Sequence, residues 1–179
     1  MPGNVLSRSK AGFTVIEILI AMSIFALLSI GGLGILIQGI NSWNRDYARG
    51  SVETDTGLAM RKITAALRPA INVTVDSNGQ GISYNTPLLD ASGNVVLPIQ
   101  SDGTQRRIYR SEDGTQLLMT GTNRPLLRSL APASDSYNDI FATLPSGKAV
   151  AVNLASTAST GQEHFTISKT EVVDLRNVQ

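Results

Sequence analysis

Cysteine is missing from this 179-residue chain, and its only imidazole is that of His164. Without a thiol there is no disulfide scaffold, no thiol nucleophile and no cysteine metal site, while either side of a membrane stays open to the chain. His164 has no cysteine and no paired carboxylates beside it, so neither a catalytic triad nor a zinc site has a foothold. Charge of one sign is scarce too: 15 Lys and Arg stand against 14 Asp and Glu, a formal +1. The basic residues fall singly or in pairs, Arg106-Arg107 being too short for a patch, so the sequence predicts no nucleic-acid partner. There is no internal repeat and no extended low-complexity tail. The length suffices for one ordinary domain plus an extra element.

What is present is unevenly spread. Ile18 to Ile37 reads ILIAMSIFALLSIGGLGILI without a charge. At about 1.5 Å per residue such a helix is roughly 30 Å long, the thickness of a bilayer core. A secretory signal has a shorter apolar core ending in a small-x-small site, whereas this run continues past Gly34, which disfavours ordinary secretory cleavage. Arg8 and Lys10 precede the run and Arg45 and Arg49 follow it, so charge alone leaves the orientation open. Gly31, Gly32 and Gly34 lie between aliphatic residues, which rules out a phosphate-cradling loop. They suit close helix packing or a local loss of helix.

Lys10-Ala11-Gly12-Phe13-Thr14-Val15-Ile16-Glu17 joins a short hydrophilic leader, Met1 to Gly12, to the apolar block. This octapeptide resembles the prepilin-type cleavage and methylation site of type IV pilins and type II secretion pseudopilins. The resemblance implies that Gly12 is the last leader residue, Phe13 the new N-methylated terminus and Glu17 the fifth residue of the mature chain. It also implies a cytoplasmic leader cut by an aspartic prepilin peptidase, with the remainder outside the inner membrane and later in a periplasmic or cell-surface filament. The implied partners are other pilin-like subunits, the peptidase, the inner-membrane assembly machinery and membrane lipid. A carboxylate such as that of Glu17 costs on the order of 2.5 to 3.5 kcal/mol near mid-membrane and less near an interface. The amine freed at Phe13 of a neighbouring subunit is the partner that the resemblance implies. The plainer reading is that Glu17 snorkels to the headgroups.

After Asn41 the chain is polar but still reads as helix, with Ala59, Ile63, Ala66, Leu67 and Ala70 on one face and Arg61, Lys62 and Arg68 largely elsewhere. Pro69 predicts an end near residue 68, and Gly50 and Gly57 predict bends on the way. From Ile71 the pattern changes to short β-favouring runs between turn formers. One hairpin joins Arg106–Arg110 to Gln116–Met119 across Glu112-Asp113-Gly114-Thr115. A second joins Ile140–Leu144 to Ala149–Leu154 across Pro145-Ser146-Gly147-Lys148. Val150, Val152 and Leu154 share a face, and Phe165 and Ile167 repeat the alternation before Val172-Val173-Asp174-Leu175. Stretches 84–105 and 131–138 read as surface loops.

The expected fold is therefore α+β: a long N-terminal helix, membrane-spanning in its first half and amphipathic in its second, packed on a mostly antiparallel sheet. In the pilin-like scheme residues 1–12 are the leader, 13–40 the membrane and assembly helix, 41–68 its continuation and 69–179 an extracytoplasmic β-rich head. The order Arg107-Ile108-Tyr109-Arg110, Asp113-Gly114, Leu117-Leu118, Leu126-Leu127-Arg128 and Asp174-Leu175-Arg176-Asn177 resembles minor pilins of the PilW and GspJ kind.

Chemistry in the head has little to build on. Asp135, Asn138 and Asp139 offer oxygen ligands of the sort calcium takes, but their spacing departs from the diagnostic loop and reads as a solvated turn. Asn72-Val73-Thr74 fits a glycosylation triplet only formally. Neither an enzyme nor a cofactor is expected, and the choice among pilus, secretion and DNA-uptake machines stays open. The reading from another class is a signal-anchored enzyme or ligand-binding module outside the membrane, which needs a convergent polar site in the head.

Overall fold

Val15 to Leu67 forms one helix, α1, in the computed structural model of the chain, which describes residues 12–133, 139–161 and 163–176. Its end follows from Pro69, which cannot donate to the helical ladder. Arg68 N–H still reaches the Thr64 carbonyl at 3.0 Å, and Ala70 N–H closes onto Leu67 at 2.9 Å before the chain turns away. The bends expected at Gly50 and Gly57 do not interrupt it. A helical glycine costs about 1 kcal/mol against alanine, too little to break a helix flanked by good formers on both sides. The Thr54 hydroxyl also donates to the Gly50 carbonyl at 2.8 Å.

The chain divides into two compact units, Met1–Asn44 and Arg45–Gln179. The described part of the first is helix from Val15 onward, and every side chain in it is exposed. The second holds the rest of α1 and two antiparallel sheets. In the first sheet β1 (Ile71–Val75), β2 (Gly81–Pro87), β3 (Ser101–Arg110) and β4 (Leu117–Met119) lie in chain order. In the other, β5 (Phe141–Thr143), β6 (Ala149–Thr160) and β7 (Glu163–Asp174) do the same. Each strand thus pairs with its sequence neighbour, as short turns require.

Both expected hairpins form. Ile108, Tyr109 and Arg110 face Met119, Leu118 and Leu117, and Phe141, Ala142 and Thr143 face Val152, Ala151 and Val150. Gly114 and Gly147 take the positive φ, 72° and 66°, that their turns need. Hydrogen bonds from the Ser111 hydroxyl and Thr115 N–H to Asp113 fix the first turn and hold that carboxyl below the usual carboxylate range.

The core lies between the α1 segment of this unit and both sheets. Ala59, Met60, Ile63 and Leu67 meet Ile82, Tyr84, Ile108 and Leu117 from the first sheet and Phe141, Val150, Val152 and Leu154 from the second. Burying an aliphatic or aromatic side chain of this size contributes about 1.5 to 3 kcal/mol, so this cluster outweighs any surface ion pair of the head. Two polar contacts tie the helix to the second sheet: Thr56 Oγ1 to Ser156 Oγ at 2.7 Å, and Thr64 Oγ1 donating to Glu171 Oε1 at 3.2 Å.

The segment expected as a surface loop over 84–105 is one only from 88 to 100. Its ends belong to β2 and β3, with Tyr84 facing Arg106 and Asn85 facing Gln105. Polar strand residues such as Asn85 and Thr104 masked a pairing that ladder bonds hold together and that buries Tyr84. Phe165 and Ile167 lie on one long strand with Val172 and Val173 and are only half-buried. Asn72, the residue of the formal glycosylation triplet, has φ 52° where the β1–β2 register shifts. Asparagine tolerates that left-handed backbone at a bulge.

Candidate functional site

The start of α1 brings the three sequence-predicted site residues together. Gly12 and Phe13 precede the helix, Thr14 stands at its N-cap and Glu17 lies in its first turn. Thr14 N–H and the Thr14 hydroxyl both donate to Glu17 Oε2, at 2.9 and 3.0 Å, and Glu17 N–H donates back to Thr14 Oγ1 at 3.3 Å. This is a reciprocal capping box, in which two backbone donors that the helix cannot satisfy find side-chain acceptors. The carboxylate also sits at the positive end of the helix dipole.

Thr14 is the residue that reading for cleavage chemistry passed over. Its signal was in the sequence all along: Thr14-Val15-Ile16-Glu17 is the Thr-x-x-Glu pattern that opens a helix. The same acidic side chain that is costly inside an apolar span is therefore satisfied locally within its own chain.

Beyond Glu17 the helix presents Ile18, Leu19, Ile20, Met22, Ile24, Phe25 and their successors through Ile40 to the outside, each at least 49% exposed. It is the one described helix long and apolar enough to cross a membrane. An apolar helix uncovered on all sides needs lipid or other helices around it. Trp43 follows the span and is exposed, a residue type enriched at membrane interfaces. A Cβ added at Gly12, Gly31, Gly32 or Gly34 would meet nothing within 4 Å. No contact among the described residues therefore demands glycine at any of them.

Elsewhere the expected residues stay apart. His164 faces Ser159 across β6 and β7 and is exposed. Asp139 is exposed, while Asp135 and Asn138, its companions in the calcium reading, lie outside the described residues. Among the described residues no group of three or more His, Asp or Glu side chains could hold a metal ion.

Comparison with curated proteins finds no match, and comparison with solved structures finds none either. Residues 7–33 match the family described as the prokaryotic N-terminal methylation motif. That match covers the cap, Glu17 and the apolar run as far as Leu33, and it makes this chain a carrier of the type IV pilin and pseudopilin signature.

Proposed function

We propose that the chain is a structural filament subunit, a minor pilin or pseudopilin of a type IV pilus, type II secretion or DNA-uptake machine, and not an enzyme. The observation that carries this is Glu17 in the first turn of a helix whose apolar first half is exposed throughout, inside a matched methylation motif. In this reading prepilin peptidase cuts between Gly12 and Phe13 on the cytoplasmic side, and Phe13 is then N-methylated. The head lies outside the inner membrane, and the assembly machinery extracts the helix from lipid into a bundle of like helices.

Cutting the Gly12–Phe13 bond leaves the Thr14 amide untouched, so the mature chain keeps its capping box. What changes is that a cationic amine appears at Phe13. Two ionised partners out of water attract more strongly than a carboxylate and a neutral amide. A neighbour's Phe13 amine therefore competes with Thr14 for Glu17 only where lipid or packed helices exclude water. Removing Thr14 as a cap costs about 0.5 to 2 kcal/mol, which is the handicap such an intersubunit pair has to overcome.

The test is the mass of the mature N-terminus in cells with and without prepilin peptidase. A species beginning at methylated Phe13 only when the peptidase is present is the expected result, and Gly12→Val should leave residues 1–12 attached. Retention of those residues in both strains overturns the reading. Glu17→Ala should be processed yet fail to enter filaments. A filament system indifferent to it favours a signal-anchored binding module instead.

A further inference from the structure

Two apolar features lie at different places on the head. The first is the arm between β2 and β3, where Leu88, Leu89, Val95 and Leu97 are 39, 54, 41 and 79% exposed. The arm is a built ribbon: Leu88 N–H donates to the Gln100 carbonyl at 2.7 Å, and Val96 N–H to the Leu88 carbonyl at 3.0 Å. At its tip Asp90 Oδ1 accepts from the Ser92 and Asn94 N–H groups at 2.8 and 2.9 Å. Four aliphatic side chains held out on an ordered ribbon form an apolar surface of the kind that marks an interaction site. Asp90 is the arm's only charge, and the hydrogen bonds from Asn94 and Ser92 keep its carboxyl below the usual range, so it is an anion at neutral pH.

The second feature is a groove of about 620 Å³ between α1 and the turn after β4. Its floor is mostly apolar, with Ala65, Met119, Pro125 and Leu126, and its lining carries two cations, Lys62 and Arg124, and no acid. Sites that hold drug-sized ligands span roughly 300 to 1,000 Å³, so there is room for more than one leucyl side chain.

We propose that the arm of one copy docks in the groove of a second copy, with Leu97 and its aliphatic neighbours on the apolar floor and Asp90 against Lys62 and Arg124. This rests on the filament-subunit reading and names a contact within it. Charge selects this pairing over the alternatives. The arm carries one acid and no base, and the groove lining two bases and no acid, so arm in groove is the pairing that brings opposite charges together. Because the two patches differ, the contact is heterologous: every copy offers an unused arm or groove to the next, and the series stays open, as a filament requires, where its rotation does not close a ring. A single contact of this size is weak alone and gains from the helix bundle that holds the subunits side by side.

The native chain has no cysteine, so none of its own thiols competes in disulfide trapping. Two differently tagged full-length copies are co-expressed, one with Leu97→Cys and one with Asn123→Cys, and oxidised in intact membranes. Maleimide labelling of a parallel, unoxidised aliquot reports accessible thiols, protease resistance of the head reports folding, and the N-terminal mass reports processing in the same cells. The expected result is a mixed-tag dimer. It should fall at least tenfold when Asp90→Lys is added to the arm copy and return when Arg124→Glu is added to the groove copy. No mixed dimer from chains whose thiols label in a parallel, unoxidised aliquot overturns the proposal, as does a dominant arm-to-arm dimer or cross-linking of either thiol to a different protein alone. Chains that start at Phe13 without the mixed dimer sink this contact and leave the subunit reading standing. A mixed dimer between unprocessed chains does the reverse.

Discussion

Thr56 and Ser156 show how much of the head's specificity rests on single atoms. Thr56 Oγ1 donates its one proton to the Val52 carbonyl at 2.7 Å. In the 2.7 Å contact with Ser156 it can therefore only accept, and the serine must donate. Both residues are buried, so the two truncations are not equivalent. Thr56→Val strands a buried hydroxyl on Ser156 and should cost about 1 to 3 kcal/mol. Ser156→Ala leaves the threonine donor satisfied and should cost less. Adding Ser156→Ala to Thr56→Val should restore part of the loss, because it removes the stranded group. Thermal unfolding of the full chain in detergent measures all three, and equal, additive losses contradict the assigned donor. Nothing in the sequence announced this pair: a threonine amid Asp55 and Gly57 reads as solvated until β6 closes over it. Glu17 was legible because its charge is out of place in an apolar run, and Thr14 was equally legible but as a cap.

The elements were readable where a local rule decides them. Pro69 fixes the end of α1, Asp113-Gly114 and Ser146-Gly147 fix two turns, and period-two burial of Val150, Val152 and Leu154 fixes the inward face of β6. Strand ends in 84–105 were not readable, since their polar residues are held by ladder bonds to partners twenty positions away rather than by any pattern of their own. The continuity of α1 through its glycines, which the expected long helix already contained, holds because helix length is set by cooperative propagation and packing more than by single propensities. The glycines of the apolar half support a prediction at this scale. Nothing lies within 4 Å of a Cβ added at Gly31, Gly32 or Gly34, so replacing all three by alanine should leave the isolated chain's helix intact or firmer, by roughly 1 kcal/mol for each glycine replaced. If the glycines serve the assembled state, by close packing or by melting there, the same triple variant should be membrane-inserted and processed yet poorly incorporated into filaments. Circular dichroism and the filament fraction read the two halves. Undiminished incorporation removes the glycines from the assembly mechanism.

At the scale of the whole molecule the two units answer to different solvents. The described residues of the first have no buried side chain at all, so their stability comes from lipid or from neighbouring helices. The second contains an apolar cluster, from Ala59 through Leu175, drawn entirely from residues after Asn44. It also holds residues 175 and 176 close: Leu175 is buried, its N–H donates to the Lys148 carbonyl at 2.8 Å, and Arg176 N–H donates to the Arg68 carbonyl at 3.2 Å. A chain beginning at Arg45 should therefore be soluble without detergent and unfold in one cooperative transition. Its first helical residues should fray back toward Val52, the first of them to be buried. Extending the deletion to residue 62 takes away Val52, Thr56, Ala59 and Met60 and opens the core along the helix face. That shorter chain should lose the cooperative transition and expose apolar surface to a dye such as ANS. Calorimetry and dye binding on the two truncations decide the matter. A non-cooperative, dye-binding chain from Arg45 means that the apolar half of α1 stabilises the head as well as anchoring it, and that removal from lipid during assembly reaches into the fold of the head itself.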